Sequence, residues 1–170
     1  WDLSATRNSD SYHVYTQSSA NYSFAYPGGP TDVFSGKLEY TQNVVNMDLR
    51  RSFDVAALAT PLDFSAGLEY QQEDYTRGAG ELASWSGTGI TAYTGYLPAD
   101  AVHGTRHSLA GYVGASANVT ERWYLDIAGR FEDHSDFGNV STGRLTTRFD
   151  FTDDFAVRAT VSNGFHAPSL

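Results

Sequence analysis

Along much of the chain, apolar and polar residues alternate one for one. From Trp123 to Asp133 the odd positions are Trp123, Leu125, Ile127, Gly129 and Phe131, and the even ones Tyr124, Asp126, Ala128, Arg130 and Glu132. A period of two places the two sets on opposite faces of an extended strand. The rule repeats in 144–151, where Leu145, Thr147, Phe149 and Phe151 oppose Arg144, Thr146, Arg148 and Asp150. After Thr152-Asp153-Asp154 it resumes with Phe155, Val157, Ala159 and Val161 opposite Ala156, Arg158, Thr160 and Ser162. Upstream, Leu62, Phe64, Ala66, Leu68 and Tyr70 oppose Asp63, Ser65, Gly67, Glu69 and Gln71, and Leu109, Val113, Ala115 and Val119 oppose Ser108, Tyr112, Ser116 and Asn118. Val45, Met47, Leu49 and Phe53 form another apolar row with Arg51 inside it, and the phase is lost near Leu38 and Tyr40, which predicts a bulge or an early loop there. With a first strand beginning at Trp1, Leu3 and Ala5, the pattern predicts about seven strands in a nearly all-β chain.

The connections carry a second pattern. Short links are expected near 54–60, 120–122 and 152–154, long ones over about 15–33 and 77–105, and a medium one over about 136–143. Alternation of short and long puts all short turns on one rim, the asymmetry of outer-membrane barrels with short periplasmic turns and longer extracellular loops. Several alternating runs reach the roughly 9 to 11 residues that a tilted strand needs to cross the hydrocarbon. Aromatics fall where girdles would lie: Phe53, Trp123, Phe151 and Phe155 beside short turns, and Tyr70, Phe131 and Phe165 toward the long-loop rim. Alternation alone does not say which face is outside, so a soluble sandwich with an aromatic core remains an alternative.

Composition narrows the classes. Forty-one per cent apolar content over 170 residues suits a folded domain, and no run approaches the roughly 18 to 20 apolar residues of a spanning helix. Eleven basic against twenty acidic residues give a charge of −9 with no Lys/Arg cluster, which argues against nucleic acid as a partner. Without cysteine there is no disulfide framework and no thiolate chemistry. The start at Trp1 and the stop after Ala167-Pro168-Ser169-Leu170 read as those of a fragment.

The end of the chain, Arg158 to Leu170, with Gly164-Phe165-His166-Ala167-Pro168-Ser169-Leu170, resembles a strand of TonB-dependent receptors that typically ends Gly-Phe-Arg-Ala-Pro-Ser-Leu. Arg130-Phe131-Glu132-Asp133-His134-Ser135-Asp136-Phe137-Gly138 is similar to the family's Arg-Tyr-Glu-Asp-Tyr-Ser-Asp-Phe-Gly strand and loop, and Gly67-Leu68-Glu69-Tyr70 resembles its Gly-x-Glu-Tyr strand. The likeness is strong from about Arg106 onward and looser before it. His134 and His166 depart from it, standing where Tyr and Arg are usual. The resemblance implies an antiparallel up-and-down transmembrane β-barrel of about 22 strands, of which residues 1–170 are roughly a third. It also implies a lumen closed by a separate plug domain, with the plug, the TonB box and barrel closure outside this chain. Implied partners are outer-membrane lipid, the chain's own plug, the TonB complex acting through it, and a small nutrient such as a ferric siderophore, haem, cobalamin or an oligosaccharide. A passive porin-type barrel shares the alternation, and a soluble all-β binding protein is the other alternative.

Candidate site residues follow from cost. Asp126, Arg130, Glu132, Arg144, Arg148 and Arg158, with Asp63, Glu69 and Asp150, are expensive against lipid, where a midplane Arg or Lys costs about 2 to 4 kcal/mol, and are assigned to a polar lumen network. Trp85, Tyr93 and Tyr96, in a loop rich in Gly, Ser and Thr, are the expected ligand contacts, against the alternative of a disordered loop. His134 and His166 are candidates for ligand or rim positions. Glu132, Asp133 and Asp136 could chelate Ca²⁺ at the rim or simply form a solvated acidic loop. His103 and His107 stand four apart on no recognisable helix, so no metal site is assigned. No nucleophile elbow, phosphate loop or paired-carboxylate signature stands on the element it needs, so no catalytic residue and no cofactor are expected. The Asn-x-Ser/Thr triplets at Asn21, Asn118 and Asn139 are read as chance. Cut out of a barrel, such a piece has two unpaired edges and is expected to aggregate in water.

Overall fold

The computed structural model describes residues 1–24 and 28–166. Seven strands, β1 (Asp2–Thr16), β2 (Val33–Phe53), β3 (Leu62–Ala79), β4 (Val102–Thr120), β5 (Trp123–His134), β6 (Gly138–Asp150) and β7 (Ala156–Ser162), form one sheet in chain order. Each strand hydrogen-bonds to the next in an antiparallel meander, and the sheet is open, with β1 and β7 as its edges. Among the described residues the chain adopts the expected nearly all-β fold with the expected number of about seven strands. Ala167-Pro168-Ser169-Leu170, half of the motif that carries the family likeness at the end of the chain, lie outside the described residues, as do residues 25–27 of the first long link.

Several boundaries differ from expectation. β2 runs unbroken for 21 residues through Leu38 and Tyr40, so there is no early loop. Its upper half alternates among polar side chains such as Lys37, Glu39 and Thr41, and the backbone ladder holds without an apolar row to announce it. β3 and β4 reach 18 and 19 residues, which leaves Tyr70 in mid-strand instead of near a rim. The link expected over 136–143 is a three-residue turn, Ser135-Asp136-Phe137, because Gly138, with φ of +90°, closes it and starts β6 at once. Links at the two ends of the sheet are 17–32, 80–101 and 135–137 on one side, and 54–61, 121–122 and 151–155 on the other. The difference between the ends rests on the first two long links, since the third is shorter than 54–61.

The chain divides into two compact units. The first comprises Trp1–Thr6, Val44–Gln72 and the chain from His107 onward, and the second Arg7–Asn43 and Glu73–Arg106. In the first, the register of β4 to β7 puts Ala115, Ile127, Leu145 and Val161 in one row, and Trp123, Phe149 and Val157 in another on the same face. That face is exposed: Ile127 is 56% and Val161 74% accessible. Small residues, Ala110, Ala117 and Thr146, are the ones buried. In the second unit Val33, Ala83 and Ile90 are buried with Phe24 packed on them, a small core of ordinary water-soluble type.

Candidate functional site

Even-numbered residues of β5, β6 and β7 share the face opposite the apolar rows, which places Asp126, Arg130, Glu132, Arg144, Arg148, Asp150 and Arg158 together. The ladder sets Arg144 opposite Ala128, Asp126 opposite Thr146, and Arg148 opposite Tyr124 on one side and Arg158 on the other. Arg144 Nη2 lies 3.1 Å from Asp126 Oδ1, and Arg148 Nε 2.8 Å from Asp150 Oδ1. Arg130 is the hub: its Nη2 meets Glu69 Oε1 and its Nε meets Glu132 Oε1, both at 2.5 Å. Glu69 is on β3, so the guanidinium lies across the whole width of β4. The same happens one strand earlier, where the Tyr112 hydroxyl of β4 donates to Asp48 of β2. Gly67 of β3 makes room for this, because a Cβ there would sit 2.4 Å from the Tyr112 ring. Contacts that skip a strand tie four strands, β2 to β5, into one polar surface, and Asp48 and Tyr112 belong to it although sequence reasoning left them unassigned. Their even phase is the only signal of it in the sequence.

At the turn end of β5, His134 is held by its own strand: Nε2 is 3.3 Å from Glu132 Oε2, and the ring stacks on Phe137 at 4.3 Å. Phe165 joins Phe137 at 5.5 Å, while His166 is exposed beyond β7. The Ca²⁺ reading fails on register. Glu132 pairs across from Val140 on the polar face and Asp133 from Asn139 on the other, so the two carboxylates point to opposite sides, and no metal-type cluster occurs among the described residues. His103 Nδ1 bonds Thr76 Oγ1 at 3.0 Å, whereas the His107 backbone bonds the Ser135 turn.

In the second unit, links 17–32 and 80–101 interlock instead of waving free. Asn21 Nδ2 donates to Ala83 O at 2.9 Å and Ser86 O at 2.8 Å, Thr16 and Ser35 share a hydroxyl bond of 2.7 Å, and Ser84 Oγ donates to Glu81 O. Backbone bonds run from Thr91 to Ala20, from Tyr96 to Ser35 and from Glu81 to Phe34. The links close this tightly because Gly80 and Gly95 carry no side chain: a Cβ on either would meet Ser84 Oγ at 2.4 or 2.1 Å. A short helix α1 (Leu82–Trp85) and a single 3₁₀ turn (Pro98–Asp100) sit inside the longer link. In the strands of the same unit, Tyr40 donates to Glu73 Oε1 at 2.5 Å, and the buried Arg106 reaches the same carboxylate at 3.5 Å.

The three expected ligand contacts divide. Tyr93 and Tyr96 meet edge to face at 6.4 Å, and the guanidinium of Arg77 stands 5.8 Å from the Tyr96 ring. The Tyr93 hydroxyl's hydrogen bond, aided by burial, pushes the Tyr96 hydroxyl above its ordinary range against the opposing pull of Arg77. Trp85 is partly covered, and its indole N–H is spent on Gly80 O at 3.0 Å in its own link. Arg77, missed in the sequence, completes an aromatic and cationic corner with the tyrosines.

An open antiparallel meander with large apolar residues exposed on one face and ion pairs spanning strands on the other is the construction of a transmembrane β-barrel wall. The family model described as TonB dependent receptor-like, beta-barrel matches residues 1–170, and the chain belongs to that family. This is a family of receptors and transporters and not of enzymes. Among curated proteins, the chain is similar to the Vitamin B12 transporter BtuB of three strains of Vibrio cholerae serotype O1, each 30% identical over 50 residues. The match spans 29% of this chain and 8% of those transporters. No solved structure matches.

Proposed function

We propose that residues 1–170 are part of the barrel wall of an outer-membrane receptor that imports a scarce nutrient with energy delivered by TonB. The observation that carries this reading is the two-sidedness of the first unit: Ile127, Leu145, Phe149 and Val157 stand exposed on one face, and Arg130 is tied to Glu69 and Glu132 on the other. In water, exposing such rows is unfavourable by about 25 cal/mol per Å² of apolar surface. Against hydrocarbon it costs nothing, and the charged face then lines a wet lumen. The plug and the remaining strands belong to other parts of the full chain. Trp85, Tyr93, Tyr96 and Arg77 of the second unit are the ligand contacts, Asp126, Arg130, Glu132, Arg144, Arg148 and Arg158 of the first unit form the lumen network, and His134 and His166 are ligand or rim positions of the first unit.

Among nutrients, the B12 transporter similarity makes cobalamin the first to test, ahead of ferric siderophore, haem and oligosaccharide. The experiment is uptake of labelled cobalamin and labelled ferric siderophore by cells that carry or lack the full gene, with and without a functional TonB. Uptake that requires both the gene and TonB supports the reading. Uptake that requires the gene alone replaces it with passive diffusion through a porin-type barrel.

A further inference from the structure

We propose that the site built on Arg77 recognises an anionic oxygen group, so that the nutrient carries a carboxylate, a phosphodiester or a catecholate and is not an uncharged sugar or chelate. The inference rests on the reading of Trp85, Tyr93, Tyr96 and Arg77 as ligand contacts, and it names the class of ligand they take. Arg77 stands near the end of β3, where two contacts fix it. Its Nε donates to Asp100 O at 2.6 Å, and its guanidinium carbon lies 5.8 Å from the centre of the Tyr96 ring. Gly36 of β2, with φ of +130°, leaves the space for that ring, since a Cβ there would stand 2.5 Å from Tyr96 Cδ2. Tyr93 meets Tyr96 edge to face and keeps 45% of its surface exposed.

Arg77 lacks a counter-charge. In the same unit Lys37 pairs with Glu39 and Arg106 with Glu73, whereas no carboxylate lies within ion-pair distance of Arg77 among the described residues. Three carboxylates of the unit are engaged elsewhere: Glu73 also takes the Tyr40 hydroxyl, Glu81 accepts from Phe34 N at 2.7 Å, and Asp100 turns its Oδ2 to Leu97 N at 3.3 Å. Both terminal nitrogens of Arg77 therefore have no hydrogen-bond partner among the described residues, on a side chain that is partly buried and already held in place. A guanidinium presents its donors as a planar fork that matches two oxygens of one carboxylate or phosphate. Holding the fork in advance spares the ligand the cost of ordering it. The tyrosines offer ring surface to an apolar part of the same ligand. An uncharged sugar would use the tyrosines and leave the guanidinium without a partner, whereas an anionic ligand uses both.

The test is equilibrium dialysis of the full-length receptor in mild detergent against five probes. Cobalamin, with its phosphodiester, haem, with its propionates, and a ferric catecholate carry anionic groups; a ferric hydroxamate and maltoheptaose are uncharged. Wild type should bind one of the first three, and Arg77→Gln should weaken that binding about ten- to a hundredfold. Arg77→Lys keeps the charge but, like Arg77→Gln, removes the bond from Nε to Asp100 O, so its affinity should fall between the two. Equal weakening by both variants makes Arg77 a brace for link 80–101 and overturns the proposal. Binding of the uncharged probes only, of none of the five, or of an anionic probe equally by wild type and Arg77→Gln overturns it as well. TonB-dependent uptake of maltoheptaose or the ferric hydroxamate would leave the proposed function standing and overturn this inference. Gene-dependent uptake of an anionic probe without TonB, lost in Arg77→Gln, would do the reverse.

Discussion

The β4–β7 wall and the interlocked links of the second unit use similar residues to opposite ends. In the wall the large apolar side chains point out, and what is buried is small: Ala110, Ala117 and Thr146. In the second unit Ile90 and Val33 are buried, and so are Asn21 and Ser84 of the links and Thr16 and Ser35 of the adjoining strands, each hydrogen-bonded. On the proposed function, each region places its apolar surface to suit a different solvent, hydrocarbon in one case and water in the other. Backbone groups follow the same division. The wall satisfies them by a regular ladder, as a lipid-facing element must. The links use an irregular mix of side-chain and backbone bonds, which water at the surface tolerates.

The largest effect should come from placing a charge on the wall's apolar face. Ile127→Arg in the full-length receptor reconstituted into vesicles should lower unfolding stability by about 2–4 kcal/mol. Ala92→Arg, an exposed link position, should change it by less than about 0.5 kcal/mol. Urea titrations of both variants read the contrast, and equal effects would dissolve the distinction between the two regions. Next is the hub of the polar face. Arg130→Met leaves Glu69 and Glu132 without their common cation, for a loss of about 2 kcal/mol after allowing for their partial exposure. Adding Glu69→Gln should recover part of that loss, and strict additivity in the double-mutant cycle would show that the pair does not interact.

The links can be loosened separately. Asn21→Ala removes both bonds that pin Ala83 and Ser86, a loss of about 1–2 kcal/mol of local stability. Chymotrypsin should then cut at Trp85, Tyr93 or Tyr96 about tenfold faster, with the melting of the wall unchanged. A wall that melts earlier, or a cutting rate that stays the same, would contradict local opening.

How legible these features are in the sequence follows from their physics. Faces of β5, β6 and β7 can be read directly, because Trp123 to Glu132 and Leu145 to Asp150 obey a period of two and register preserves it. The Glu69–Arg130 and Asp48–Tyr112 bonds are not legible, since which residues meet across an intervening strand depends on register and on Gly67 leaving space. Nor is the folding of 80–101: Ser84, Gly80, Gly95 and Asn21 hold it through bonds that have no periodicity, and a run of small polar residues reads alike whether ordered or not. The upper half of β2 was hidden because its alternation lies among polar residues, and the 135–137 turn because Gly138 at positive φ closes it in three residues.

The smallest effect tests the wall at its girdle, where its two solvents meet. Trp123 donates its indole N–H to Thr147 Oγ1 at 2.8 Å on the apolar face, one strand over, and stands opposite Phe149. An indole N–H at the edge of the hydrocarbon needs a partner when water is scarce, and Thr147, in an otherwise apolar row, supplies it. Trp123→Phe keeps the ring and removes the donor, so stability in vesicles should fall by about 0.5–1 kcal/mol. Thr147→Val should cost a similar amount, because it orphans the N–H while adding a methyl that lipid accepts. Combining the two should cost little more than either alone. If Thr147→Val is instead neutral, the indole finds water or headgroup oxygens at that depth, and the short-turn girdle lies farther from the hydrocarbon than the row containing Thr147 implies.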